Sequence, residues 1–103
     1  MYIYERQRQT LVIWQGDLCV VGGSATGVFA AVRAARLGLR VMLVEKQNCF
    51  GGVATNGLVN VWHTYKDTEK KKQIIAGLSA EVTDRLEPYN AGYVDWADSH
   101  CFN

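Results

Sequence analysis

Proline is nearly absent: Pro88 is the single one in 103 residues, so any helix or strand ahead of it runs without that breaker. Cysteine is scarce and odd in number. Cys19, Cys49 and Cys101 stand at unrelated spacings, which excludes the disulfide framework of a small secreted domain and points to a reducing, cytoplasmic compartment. Histidine is limited to His63 and His100. His100 and Cys101 have no matching pair elsewhere, so no zinc motif is spelled and no metal site is expected. No apolar run approaches bilayer length, so no membrane partner is expected. Residues 1–16 mix Glu5, Arg6 and Arg8 with Tyr and Gln and lack the charged-then-apolar order of a signal peptide. The formal net charge of +1 leaves neither a basic footprint for nucleic acid nor an acidic tail, and Lys70, Lys71 and Lys72 read as a solvated loop.

What is present is globular in composition, with 49% of residues apolar. Residues 18–21 form a short continuous apolar run, as in a strand buried on both faces, with Cys19 as packing. A helix from residue 24 or 25 through 37 follows. Ala30, Ala31, Ala34 and Ala35 thin one side of it, Arg33 and Arg36 face water, and Gly38 stands at the left-handed cap position. Residues 40–44 make a second strand, parallel to the first through a right-handed crossover. Residues 10–14 are a further strand candidate. Residues 47–57 are a Gly-rich loop, and periodicity does not decide between helix and strand for 58–62. A last helix is predicted from about Lys72, with an apolar stripe of Ile75, Leu78, Val82 and Leu86, ended by Pro88. Its acids Glu81, Asp84 and Glu87 read as the wet face, and residues 89–103 are irregular and aromatic.

The expected class is α/β: a partial, Rossmann-like parallel sheet built as a βαβ unit, followed by a loop and a helix. Residues 1–16 form a lead segment, and 17–103 form the first part of a nucleotide-binding domain. Two clear strands are fewer than a complete doubly wound sheet needs, so an incomplete domain, the N-terminal piece of a longer protein, is expected.

The chemistry sits between the two strands. The turn reads Gly22-Gly23-Ser24-Ala25-Thr26-Gly27, a G-x-G-x-x-G motif whose middle glycine is Ser24. Gly22 permits a tight exit from the strand, and Gly27 lets the helix lie close to it. The backbone N–H groups and helix start are then aimed at a pyrophosphate. Ser24 puts a hydroxymethyl where that group approaches, either bonding a phosphate oxygen or holding it off. Glu45 ends the second strand 18 residues after Gly27, where a carboxylate can accept both hydroxyls of a ribose and would repel a 2′-phosphate.

These residues resemble the N-terminus of FAD-dependent oxidoreductases of the glutathione-reductase-like flavoprotein fold. The group carries V-x-G-G-x-x-x-G, then V-x-L-V-E-K, then G-G-x-x-T-x-G. Here these are Val20-Val21-Gly22-Gly23-Ser24-Ala25-Thr26-Gly27, Val41-Met42-Leu43-Val44-Glu45-Lys46 and Gly51-Gly52-Val53-Ala54-Thr55-Asn56-Gly57. Residues 74–86 also resemble the helix that follows in that group, and the resemblance spans roughly 17–88. It implies a noncovalent, extended FAD. Gly22, Ser24, Ala25 and Gly27, within a turn that includes Gly23 and Thr26, would face the pyrophosphate. Glu45 would hold the adenosine ribose, with Lys46 beside the adenine end. Gly51, Gly52 and Thr55 would line the path to the ribityl chain and flavin. A Gly-Gly pair six residues after Glu45 favours FAD over NAD.

Disulfide reductases of this fold place a C-x4-C pair just after the Gly-Gly. Positions 53–60 hold no cysteine, so dithiol relay is not expected. No histidine opens the loop for covalent flavin attachment. Cys49 reads as a loop residue, and Trp62 and Trp96 as core or interface. The expected function is that of the FAD-binding segment of an oxidoreductase exchanging a hydride with a small-molecule substrate, and no residue is nameable as the proton-transfer group. This leaves homo-oligomerisation open. An NAD-dependent dehydrogenase fragment, which Glu45 suits equally, and a truncated non-catalytic nucleotide-binding or interaction module remain the alternatives.

Overall fold

A computed structural model of the chain describes residues 1–59, 62–63, 65–69, 71–89 and 101–102. Residues 18–44 fold as anticipated. Strand β1 (Leu18–Val21), helix α1 (Ala25–Arg36) and strand β2 (Val41–Val44) form a βαβ unit. The strands pair in parallel, with Leu18 opposite Val41 and Val21 opposite Val44. The Asp17 carboxylate fixes the entry to this ladder by accepting from the Arg40 N–H at 2.7 Å, and the Gly22 N–H donating to the Val44 carbonyl at 2.8 Å closes its far end. Helix α1 starts at Ser24, whose hydroxyl accepts from the Gly27 N–H at 3.4 Å, and stops at Leu37, with Gly38 following at φ +91°. Ala31 and Ala34 are its buried residues, so it lies on the sheet through methyl groups. The unit is part of a Rossmann-like sheet with one helix on it.

Among the described residues α1 is the helix packed on this two-stranded sheet, and β1 is not buried on both faces. Val21 is 84% exposed, and Cys19 is an exposed free thiol rather than packing. Residues 10–14 form no strand either. Leu11, Val12 and Ile13 are exposed, because an apolar run becomes a strand only against a partner edge.

After β2 the loop turns through a short 3-10 helix (Gly52–Ala54). Strand β3 (Trp62–His63) pairs antiparallel with β4 (Cys101–Phe102), so the end of the undecided stretch 58–62 is extended. Helix α2 (Leu78–Leu86) begins six residues later than predicted. Residues 72–75 fold back on residues 65–67 instead. The Tyr65 carbonyl accepts from the N–H groups of Ile74 and Ile75, and the Asp67 carboxylate accepts from those of Lys71 and Lys72. Gly77, at φ +76°, then redirects the chain into α2, and a 3-10 turn (Glu87–Tyr89) containing Pro88 ends it. The buried residue of α2 is Thr83, whose hydroxyl donates back to the Ala80 carbonyl at 2.7 Å; Ile75 and Leu86 of the expected stripe are exposed.

Glu81 is not merely a solvated acid. It accepts both Nη groups of Arg36 at 2.6 and 2.7 Å and pairs with Arg85 at 2.8 Å, joining α2 to the end of α1. The Arg36 guanidinium, with help from Arg85, holds the Glu81 carboxyl down at about 2 against its ordinary 4.5. A depressed carboxyl stabilises the folded form fully above its ordinary value and loses that effect as pH falls toward the depressed one. Acid titration from pH 4.5 to 2 should therefore cost the natural chain more helical signal than Glu81→Gln; identical titrations would show that the pair does not hold α2.

Candidate functional site

Two glycine segments meet at the start of α1. The Gly51 N–H donates to the Gly23 carbonyl at 2.8 Å, and Ser24 and Gly51 form an isolated parallel bridge. The loop after β2 thus lies along the turn after β1. Glycine is required at three of these positions for three different reasons. A Cβ on Gly27 would lie 1.9 Å from the Gly22 carbonyl oxygen, so helix and strand end approach this closely only without one. Gly51 sits at φ +108°, where side chains are strained. A Cβ on Gly52 would lie 3.3 Å from Ser24 Cα and Cβ, inside the space between the two segments.

Glu45 reaches into this junction from the end of β2. Its Oε2 accepts from the Gly23 N–H at 2.5 Å and its Oε1 from the Gln47 N–H at 2.8 Å. These two backbone bonds, that from Gln47 the larger, hold the carboxyl below the usual carboxylate range, with Lys46 adding a smaller pull. The group is ionised at neutral pH. Each oxygen keeps a second lone pair after accepting one N–H, so the acid retains capacity for two more donors.

The remaining predicted residues fall around this core. Ser24, Thr26, Lys46 and Thr55 are exposed, while Gly22, Ala25, Gly51 and Gly52 are half-buried. Gly23 is buried. The Thr55 hydroxyl donates to the Phe50 carbonyl at 2.5 Å, bracing its own loop. Cys49 is exposed and its thiol faces the Asn56 side-chain oxygen at 3.2 Å. Helix α1 carries no acidic side chain in its first turn, so its positive end is not neutralised from within. An apolar groove of about 320 Å³, lined by Ala25, Phe29, Val53, Ala54, Tyr65 and Ile75 among others, runs from this end of α1 toward α2.

Two contributors were not foreseen. Gln47 supplies a backbone N–H to Glu45, and Phe50 lays its ring against Gly23, where a Cβ would come within 2.5 Å of it. Neither has a side-chain signal in the sequence; only their places beside Glu45 and Gly51 hint at them. Among the described residues no group of three or more metal-ligating side chains exists, and no helix is long and apolar enough to cross a membrane. His100 and Trp96 lie outside the described residues.

A parallel βαβ unit with a Gly-rich turn at the helix start and an acid at the end of β2 defines a dinucleotide-binding unit. The comparisons give the particular family. The model of the FAD dependent oxidoreductase family matches residues 17–103, so the chain belongs to that family, whose cofactor is FAD. The mitochondrial dihydrolipoyl dehydrogenase of Schizosaccharomyces pombe is 35% identical over 82 residues, covering 69% of this chain and 16% of that protein. The dihydrolipoyl dehydrogenase of Bacillus subtilis is 36% identical over 72 residues, covering 63% and 15%. The leghemoglobin reductase of Glycine max is 40% identical over 42 residues, covering 41% and 8%. The chain thus spans about a sixth or less of these relatives. No solved structure is a significant match.

Proposed function

We propose that this chain holds the pyrophosphate and adenosine end of FAD in a flavin-dependent oxidoreductase acting on a small molecule. The observation that carries this reading is the junction of the two glycine segments, Gly51 N–H on the Gly23 carbonyl at 2.8 Å, beside the Glu45 carboxylate. The residues fit the group. A Cβ on Gly52 would lie 3.3 Å from Ser24 Cα and Cβ, so the two glycine segments border the start of α1 with no side chain between them, and α1 carries no acid in its own first turn. An anionic diester suits such a place.

In this reading Ser24, Ala25 and Thr26 bind and orient the phosphates from the first turn of α1, within the turn bounded by Gly22, Gly23 and Gly27. Glu45 accepts the ribose hydroxyls with its spare lone pairs, and its charge rejects a 2′-phosphate. Lys46 lies at the adenine end. Gly51, Gly52 and Thr55 border the way toward the apolar groove, which offers room for a flat ring. When bound, the flavin supplies hydride transfer, and the protein's part is to bind and orient it. The dihydrolipoyl specificity named in the relatives is not carried over, because positions 53–60 hold no cysteine for a dithiol relay.

Heat denaturation of the purified chain should release a yellow chromophore with the absorption of FAD. A colourless chain that binds NAD tightly would replace the reading with that of a nicotinamide enzyme. A chain that takes up neither would leave an interaction module.

A further inference from the structure

We infer that Glu45 acts on the phosphate-binding turn itself: its carboxylate latches the Gly23 and Gln47 backbones together and so sets the shape the turn presents to a diphosphate. This deepens the cofactor reading and rests on it. The geometry is specific to an ionised acid. Gly23 and Gln47 lie on opposite sides of Glu45 in the chain, one in the turn after β1 and one past the end of β2. Each offers a backbone N–H, which only donates, and each is met by a different oxygen of the same carboxylate, at 2.5 and 2.8 Å. Charge-assisted bonds of this kind are roughly twice as strong as neutral ones. Gly23 is buried, so its N–H would lose water on folding whether or not Glu45 met it. The acid also packs there: a Cβ on Gly23 would come within 3.0 Å of Glu45 Cβ. The next residue is Ser24, the cap of α1, and the Gly23 carbonyl in turn accepts the Gly51 N–H at 2.8 Å. One carboxylate therefore holds the N–H of Gly23, the residue whose carbonyl takes the second glycine segment.

A latch and a ribose grip respond differently to glutamine. Ribose hydroxyls both donate and accept, so an amide can satisfy them in part. The two backbone donors are met by two different oxygens, and an amide replaces one of those with an NH2 that only donates. Inorganic pyrophosphate, which has no ribose, separates the two roles further. Removing a negative charge beside an anion strengthens its binding by Coulomb's law alone, whereas losing the latch weakens it.

The test uses the full 103-residue chain with E45Q, E45A and, as a charge-retaining variant too short to span both donors, E45D. Amide exchange at Gly23 and Gln47 is read without ligand, and pyrophosphate affinity by titration calorimetry. The expected result in all three is exchange faster by about tenfold or more at both amides, and in E45D, which keeps the charge, pyrophosphate binding weaker by about tenfold, the scale of one charge-assisted bond. E45Q with the exchange rates of the natural chain would overturn the latch, as would unchanged or tighter pyrophosphate binding in E45D. If E45A does not fold, E45Q and E45D decide by the same readings. A natural chain that binds no pyrophosphate counts against the cofactor reading instead, and exchange then decides the latch alone.

Discussion

Gly27→Ala is expected to destabilise this chain by about 2 kcal/mol or more and to abolish retention of FAD. Two effects of opposite sign compete at the position. Alanine in a helix is favoured over glycine by about 1 kcal/mol. Against this, its methyl would arrive 1.9 Å from the Gly22 carbonyl oxygen, a backbone atom that no side-chain rotation can clear. Overpacking of this kind costs about 1–3 kcal/mol where neighbours can yield, and more where they cannot. The helix start must then rise from the strand end, and the turn opens with it. Urea unfolding and the flavin content of the purified protein measure the two consequences. A Gly27→Ala chain of equal or greater stability would mean that α1 and β1 do not approach as closely as described.

Gly51→Val is expected to lower FAD affinity about five- to hundredfold, while α1 and the β1–β2 ladder persist. A residue held in a sparsely populated backbone region costs about 1–3 kcal/mol, and each 1.4 kcal/mol is a factor of ten. Gly51 sits at φ +108°, and a Cβ there would meet the Thr55 side chain at 2.6–2.8 Å. That contact pushes against the Thr55 hydroxyl that braces the Phe50 carbonyl, so the loop leaves the turn. Far-UV circular dichroism with flavin titration separates the effects. Wild-type affinity in Gly51→Val would show that the second glycine segment takes no part in binding.

The part of the fold legible in the sequence is the part decided by neighbours in sequence. The run before Gly22, the small residues of α1, Gly38 and the acid at Glu45 each carry their own local reason, and β1, α1 and β2 fall within about a residue of the expected bounds. Where pairing decides, local pattern misleads. Residues 10–14 have the composition of a strand but no pairing partner among the described residues, so they stay irregular. The lysine-rich approach to α2 has helical periodicity at Ile75 and Leu78, yet the Asp67 carboxylate and Tyr65 carbonyl capture its N–H groups first. The site divides in the same way. The sequence marks Glu45 and both glycine segments as parts of the candidate site. It does not say that Gly23, 22 residues earlier, donates to that acid, or that Phe50 covers the turn, because these contacts exist only once β1 and β2 are side by side.

The thin seam of α1 has its own consequence. Ala31 and Ala34 are the buried apolar residues of the unit, and their methyl groups are the shims that keep helix and sheet apart. Thickening a shim tilts the helix about its far end, and the displacement grows toward Ser24. The gauge of the proposed anion seat is thus calibrated about two to three turns away, and swapping either alanine for valine would retune it without replacing any residue proposed to face the phosphates.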